Sequence, residues 1–241
     1  MTSVIEIKDL IVDYGKKRAL NGLSLQVNRG EIFGFLGPNG SGKSTTIKSL
    51  LGLIFPVSGT ISLHGFSPQD IRSREKTGFL PEEATYYRFL APMEILKFYG
   101  EVCGVPKNIL DGRIPELLKL VGLFEVRKKQ IRTFSKGMAQ KISLAQALIN
   151  DPETLILDEP TSGLDPLARM DLRNILKSLK QKGKTVFFSS HELSEVELLC
   201  DSIAIIKSGR LLKSGSLKEV LGGCSENLER FFIEAIKGEV K

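Results

Sequence analysis

The chain has 241 residues, and its 41% hydrophobic content is enough to bury a sizeable core in one large domain or two modest ones. Its longest apolar stretch, residues 50–55, is far shorter than the roughly 18 to 20 residues of a membrane-spanning helix. Residues 1–7 have no basic leader followed by an apolar run. We therefore expect a globular protein that stays in the cytoplasm and does not cross a membrane.

The net charge of +6 and the cysteines limit the classes of partner. Basic residues are scattered, and the clusters at 16–18 and 127–129 lack interleaved aromatics, which favours a solvated surface over a nucleic-acid interface. Attraction to nucleotides or to anionic lipids would explain the same excess, so charge alone does not decide. Cys103, Cys200 and Cys224 are widely separated, which predicts reduced thiols.

The first part of the chain predicts a strand, a glycine-rich turn and a helix. Residues 4–7 alternate in polarity, and residues 32–36 form an apolar run that ends at the turn. The apolar residues at helical spacing after the turn are Ile47, Leu50, Leu51 and Ile54. We expect one face of this helix to pack on a sheet.

The rest of the chain predicts an α/β core with a helical insertion. Apolar runs at 155–157, 186–188 and 203–206 are typical of strands covered on both faces, and the last of them begins a hairpin turning at Ser208 and Gly209. We predict an α/β core from residues 1–82 and 151–220, a helical subdomain at 83–150, and a C-terminal helical tail at 221–241. The tail is expected to pack on the domain, with a dimer contact as the alternative.

The glycine-rich turn fits the pattern G-x-x-x-x-G-K-[ST] between a strand and a helix. Its glycines let backbone N–H groups surround phosphates, and the helix N-terminus adds its positive end. The fold class is therefore an α/β P-loop NTPase core with a mixed sheet, an N-terminal antiparallel β segment and an inserted helical subdomain. Lys43 is expected to reach the outer phosphates and Ser44 to ligate Mg²⁺. The predicted ATP-binding residues of the turn are Gly37, Pro38, Asn39, Gly40, Ser41, Gly42, Lys43, Ser44 and Thr45.

Two carboxylates follow the predicted strand at 155–157. Ligands of open α/β sheets bind where strands end, and the two side chains suit different roles there. We expect Asp158 to hold the Mg²⁺ shell and Glu159 to act as general base on the attacking water. An acidic pair at a strand end is often only solvated, but a phosphate loop in the same chain favours the functional interpretation.

Three further segments occur in a specific order around this acidic strand. Residues 133–138 (TFSKGM) precede it, residues 162–165 (SGLD) follow it, and His191 comes later, after two serines. With the phosphate loop and the acidic pair, this ordered set resembles an ABC ATPase over residues 4 to about 215. The ordered set is much more specific than any one of its motifs.

The resemblance implies a site shared between two subunits. Ser135 and the backbone of Gly137 would bind the γ-phosphate of ATP held by the other subunit, and Asp165 would couple the two sites across the dimer. A serine before a helix also suits anion binding, although an ordinary N-cap would explain it alone. Tyr14 matches the aromatic residue that stacks on adenine.

The resemblance also implies the catalytic residues and the departures from the usual pattern. His191 would contact the γ-phosphate and orient water, which makes it catalytic together with Glu159 and Lys43. Glu82 replaces the usual glutamine and would still reach Mg²⁺ through a carboxylate oxygen. Residues 133–138 correspond to the segment known in this family as the signature motif, and in it Lys136 and Met138 replace the usual glycine and glutamine. Such variants are similar to the drug, ion and antibiotic-resistance exporter branch, so export is the expected direction.

The cofactors implied are ATP and Mg²⁺, and the partners are a second copy or a close paralogue and an integral membrane permease. The chain would lie at the cytoplasmic face of the cell membrane and contact the permease near residues 82–93. Aromatic surface for that contact is expected from Tyr86, Tyr87 and Phe89.

Other functions of the same family are less favoured. An ATPase of chromosomes or DNA repair would need a long coiled coil between Lys43 and Ser135, and the chain has no sustained heptads there. A translation factor would carry two cassettes. A binding module without activity would not need Glu159 and His191. No nucleic-acid partner is therefore expected.

Overall fold

The computed structural model describes residues 3–221 and 228–238. Residues 222–227 of the predicted tail, which include Cys224, and the first two and last three residues of the chain lie outside the described residues. In the described part of the chain, the strands are β1 (Ser3–Tyr14), β2 (Lys17–Asn28), β3 (Ile32–Leu36), β4 (Ser58–Leu63), β5 (Thr77–Leu80), β6 (Thr154–Leu157), β7 (Thr185–Ser190), β8 (Ser202–Lys207) and β9 (Arg210–Ser216).

The described helices include several short ones, and none of them has the length and apolar character required to span a membrane. They are α1 (Lys43–Leu50), α2 (Ile71–Glu75), α3 (Pro92–Val102), α4 (Lys107–Leu120), α5 (Lys136–Ala147), α6 (Pro166–Gln181), α7 (Leu193–Leu199), α8 (Leu217–Val220) and α9 (Leu228–Lys237). Two short 3₁₀ turns lie at Phe124–Val126 and Ile131–Thr133.

The strands form two sheets. A six-stranded sheet has the order β5-β6-β7-β3-β8-β9, and it is parallel except for the antiparallel hairpin of β8 and β9. A three-stranded antiparallel sheet has the order β2-β1-β4. The predicted mixed sheet and N-terminal antiparallel segment are therefore confirmed.

The central sheet buries both of its faces. Along β7, Val186 and Phe188 pack with the helices α3 to α7, while Phe187 points to the opposite side and packs with the N-terminal sheet and α1. On that side the ring of Phe187 stacks 5.8 Å from that of Phe33. Successive side chains of a strand alternate between faces, so a strand covered on both sides must be apolar throughout.

The first helix is shorter than the sequence predicts. It ends at Leu50, because Gly52 has a φ of +69° and its N–H donates to the carbonyl of Ser49 in a turn. A Cβ at Gly52 would lie 2.7 Å from the Pro68 carbonyl oxygen, so glycine is required there. Leu51 and Ile54 still pack on the core, but from a turn and not from a helical face.

Helices α3, α4 and α5 occupy most of residues 83–150 and pack on one another. Helix α5 also contacts β5, and one apolar cluster runs without a break from these helices to the central sheet. The boundaries of a separate helical subdomain therefore remain a prediction. The tail helix α9 packs on α7, with Leu228 buried and Phe231 and Phe232 against the core, as expected.

Candidate active site

The turn between β3 and α1 can be built only with glycine at two of its positions. A Cβ at Gly37 would lie 2.4 Å from the carbonyl oxygen of Ile206, and Gly42 has a φ of +115° with its missing Cβ 2.7 Å from Leu20 Cδ2. Both contacts are closer than a side-chain carbon allows. The glycines therefore let the loop press against the sheet and present the first turn of α1 to a cavity.

This cavity has a volume of about 560 Å³, within the usual range for small-molecule sites. Tyr14 lies at its edge and is 48% exposed, so its ring is available for stacking. The lining residues are Tyr14, Lys17, Arg18, Ala19, Asn39, Gly40, Gly42, Lys43, Ser44, Thr45, Glu82, Glu159, Ser162, His191 and Ser208. Most of the predicted ATP-binding residues of the turn are thus brought together with Glu82, Glu159 and His191.

Three charged or titratable groups meet at the base of the cavity. Lys43 Nζ donates to the Gly37 carbonyl oxygen at 2.6 Å and lies 3.2 Å from Glu159 Oε1. The other carboxylate oxygen, Oε2, lies 2.8 Å from His191 Nδ1. Lys43 and Glu159 are each only 6% exposed, and charges buried to this extent need partners. The arrangement therefore holds a carboxylate, an imidazole and an ammonium group in one place.

Ser44 and Asp158 form an oxygen-rich corner beside them. The Ser44 hydroxyl lies 3.5 Å from Asp158 Oδ1, and Asp158 is buried. Mg²⁺ prefers oxygen ligands and binds through one or two carboxylates, water and substrate phosphates. The residues present therefore fit Mg²⁺, which Ser44 and Asp158 would hold, with the exposed Glu82 on the same cavity.

Ser189 organises the acidic pair, and the sequence analysis gave it no role. Its hydroxyl donates to Asp158 Oδ1 at 2.6 Å and accepts from the Glu159 N–H at 2.9 Å. Glu159 has a φ of +47°, which is uncommon for a residue with a side chain and is often found at functional sites. The two serines before His191 were the signal in the sequence.

The predicted signature residues, Ser135 and Gly137, lie outside this cavity. Ser135 caps α5 by accepting from the Met138 N–H at 3.2 Å, and this helix begins at Lys136. Ser135 and Gly137 are not among the residues that line the cavity of Lys43.

The signature lies beside the 162–165 loop. Asp165 caps α6 by accepting from the Ala168 N–H at 2.9 Å. A Cβ at Gly137 would lie 3.0 Å from the Cβ of Ala168, in the first turn of α6. The N-termini of α5 and α6 are therefore adjacent, and the structure brings Ser135, Gly137 and Asp165 together.

Basic residues that the sequence assigned to a solvated surface line the cavity. Lys17 and Arg18 lie beside Tyr14 there. Arg18 donates from Nε to Asp13 Oδ1 at 3.0 Å, and this hydrogen bond raises the pKa of the guanidinium. The two side chains are exposed, as predicted for cluster 16–18, and they line the cavity at the same time.

The predicted aromatic contact surface also needs correction. The Tyr86 hydroxyl donates to Gln146 Oε1 at 2.6 Å, and burial raises its pKa to about 12. Its ring lies edge-on to Tyr99, so Tyr86 packs inside the helices. Tyr87 and Phe89 remain, 69% and 64% exposed, with ring centroids 5.8 Å apart.

A phosphate-binding loop that faces a carboxylate pair across the ends of parallel strands is the arrangement of a P-loop ATPase domain. Comparisons with known proteins agree with this class. The model of the family described as ABC transporter matches residues 20–162. The chain therefore belongs to the ABC transporter family and carries the ATP-binding ATPase domain of that family.

Similar proteins come from several bacteria. An ABC transporter ATP-binding protein of Synechocystis sp. is 50% identical over 209 residues, which are 86% of this chain and 59% of that protein. The linearmycin resistance ATP-binding protein LnrL of Bacillus subtilis is 39% identical over 91% of this chain and 72% of its own length. A solved structure described as the ATP binding subunit of an ABC transporter has a TM-score of 0.87 and 33% identity, covering 96% of this chain and 99% of that one. The chain thus spans about 59% of the length of the Synechocystis relative.

Proposed function

We propose that this chain works in pairs as the motor of an ABC exporter, enclosing two Mg-ATP molecules between two copies, or between this chain and a paralogue. One observation carries the proposal. Lys43, Glu159 and His191 share a cavity that Ser135 and Gly137 do not line, although the latter sit at an exposed helix N-terminus suited to a phosphate. Each chain thus holds two different halves of a site, and a second chain in head-to-tail orientation completes both.

ATP binding uses the residues around the cavity. The triphosphate lies in the turn at 37–45, where it offers Lys43 an anionic partner in place of Glu159 Oε1. Tyr14 stacks on the adenine, an interaction that tolerates different bases. Mg²⁺, when bound, neutralises charge on the phosphates, and Ser44 and Asp158 are placed to hold it, with Glu82 near.

Hydrolysis uses Glu159 and His191. Once Lys43 turns to the phosphates, Glu159 Oε1 is free to accept a proton from the attacking water. His191 keeps Glu159 Oε2 in place and orients the water at the γ-phosphate. Ser135 and Gly137 of the second chain close the site, and hydrolysis reopens the pair through the loop at Asp165.

The link to transport rests on a surface and on a relative. Tyr87 and Phe89 form an exposed aromatic pair, and aromatic residues are enriched in the centres of protein interfaces. We assign this pair to a helix of a separate membrane permease, which places the chain at the cytoplasmic face of the membrane. The relative LnrL is a linearmycin resistance protein, which supports export as the direction.

Mixing of two inactive variants tests the shared site. Lys43→Ala spoils one half and Ser135→Arg the other, so a mixed pair has one intact site and regains part of the wild-type ATPase rate. The control mixes Lys43→Ala with the double variant Lys43→Ala/Ser135→Arg, which has no intact site in any pairing. Equal rates in both mixtures would refute the paired mechanism.

Purification from solubilised membranes tests the permease. We expect a polytopic membrane protein to co-purify with the wild-type chain, to remain with Tyr87→Phe and to be lost with Tyr87→Glu/Phe89→Glu. If a ribosome or DNA co-purified in place of a membrane protein, the chain would be a non-transport ATPase of the same family and not part of an exporter.

A further inference from the structure

Arg169, on the second turn of α6, connects two segments of the candidate active site. Its Nε donates to the carbonyl oxygen of Leu164 at 2.9 Å, and its Nη1 forms an ion pair with Glu192 Oε2. The side chains of Arg169 and Glu192 are both largely shielded from solvent. An ion pair that is shielded from solvent in this way is stronger and more rigid than one at an exposed surface.

Each partner of Arg169 is next to a residue of the site. Leu164 directly precedes Asp165, in the loop that begins at Glu159. Glu192 directly follows His191, and its N–H is held by the Ser190 hydroxyl at 2.9 Å.

Because His191 Nδ1 also contacts Glu159, these contacts form a closed ring. This closed set of contacts runs from Glu159 along the loop to Leu164, through Arg169 to Glu192, and back through His191 to Glu159. The loop is therefore linked to His191 through the charged side chain of Arg169.

We propose that Arg169 is a positioning residue that couples the loop at 162–165 to the ring of His191. When a second chain displaces Asp165, Arg169 moves Glu192 and with it His191, so that the imidazole is placed for hydrolysis only in the closed pair. This rests on the proposed function for its effect on ATP hydrolysis. The effect of Arg169 on the position of the His191 imidazole can be measured without hydrolysis.

A second ion pair, between helices α6 and α7, provides a matched control. Arg173, one turn further along α6, lies 3.2 Å from Glu195 Oε2 on α7. This pair also joins α6 to α7, and its side chains are also mostly shielded. Neither residue is next to Asp165 or His191. Any effect of α6–α7 packing alone should therefore appear equally at both pairs.

The kinetic experiment compares Arg169→Met, Glu192→Gln and Arg173→Met in the full chain. We expect Arg169→Met and Glu192→Gln to lower kcat about 10-fold or more, the scale for misplacing a catalytic group from a distance, with ATP affinity unchanged. The double variant should lose no more than either single one, because both break one connection. Arg173→Met should keep the wild-type kcat. An equal loss in Arg173→Met, or an unchanged kcat in Arg169→Met, would overturn the coupling.

The spectroscopic experiment follows the imidazole ¹⁵N resonances of His191. The chain has two histidines, so His64→Asn assigns both signals. We expect the His191 signals to shift in Arg169→Met and to stay in place in Arg173→Met, with or without nucleotide. Unmoved signals in Arg169→Met would reject the proposal. A wild-type chain without ATPase activity but with this pattern of shifts would reject the proposed function and keep the positioning role.

Discussion

Glu159 Oε2 and His191 Nδ1 lie 2.8 Å apart although the two residues are 32 positions apart in the chain. The contact follows from the sheet, since β6 and β7 are adjacent parallel strands with Leu157 opposite Phe188. Both side chains come just after the carboxyl ends of these strands, at the edge where ligands bind in such sheets. Their distance is therefore set by strand pairing.

Glu159→Gln should lower the rate of ATP hydrolysis by roughly 10² or more, the lower range for a positioned general base. The amide keeps the size and much of the hydrogen bonding, so ATP binding should survive. Since ATP then persists, the variant should elute as a dimer with Mg-ATP and as a monomer without it, in size-exclusion chromatography with light scattering. A variant that binds ATP and stays monomeric at micromolar concentration would contradict the paired mechanism, and near-normal turnover would remove Glu159 as the base.

Lys43→Ala should weaken ATP binding about 10-fold to 100-fold, the effect of losing a hydrogen bond to a charged group. Titration with a fluorescent nucleotide measures it. Lys48→Ala is the control, because Lys48 is an exposed lysine of the same helix α1 and does not line the cavity. Similar affinities for the two variants would mean that residues 37–45 are not the phosphate site.

Ser189→Ala should lower the free energy of unfolding by about 1 to 3 kcal/mol, because it leaves the buried Glu159 N–H without its partner. The ATPase rate should fall as well, since the same hydroxyl holds Asp158. Urea denaturation measures the stability. In the control Ser49→Ala the lost hydroxyl is equally buried but donates to the Thr45 carbonyl of its own helix, so we expect a smaller change. Equal losses in both variants would remove the special role of Ser189.

His64 should make stability depend on pH. Its side chain is 1% exposed, and burial lowers its pKa against the opposing effect of Glu153, 4.0 Å away. Below a pH of about 6.5 the unfolded chain binds a proton that the folded chain resists, so the free energy of unfolding should fall as the pH drops through that value. Glu153 stays ionised in this window, because the hydrogen bond from Lys76 lowers its pKa.

His64→Asn is the matched variant for this pH effect. His64 has a φ of +56°, which asparagine tolerates better than most residues. Urea denaturation at several pH values between about 7.5 and 5.5 should show a smaller loss of stability in the variant than in the wild type. Parallel curves for the two proteins would contradict a buried, neutral His64.

The sequence by itself determined the phosphate loop, the buried strands and the acidic pair. These depend on local constraints that neighbouring residues reveal. Gly37 and Gly42 permit close approach of the loop to the sheet, and an unbroken apolar run such as 186–188 has no solvent face. The ordered set of motifs, which includes Ser135 and His191, also identified the family of the chain.

Only the tertiary structure decided the features that join distant segments. Ser189 beneath the acidic pair and Arg169 between Leu164 and Glu192 act through contacts between different elements, and Lys17 lies in the cavity wall. Tyr86 was expected at the surface and is instead partly buried, with its ring edge-on to Tyr99, because an exposed and a shielded tyrosine look alike in a sequence. Local spacing encodes which element a residue belongs to, but the packing of elements decides which side chains meet.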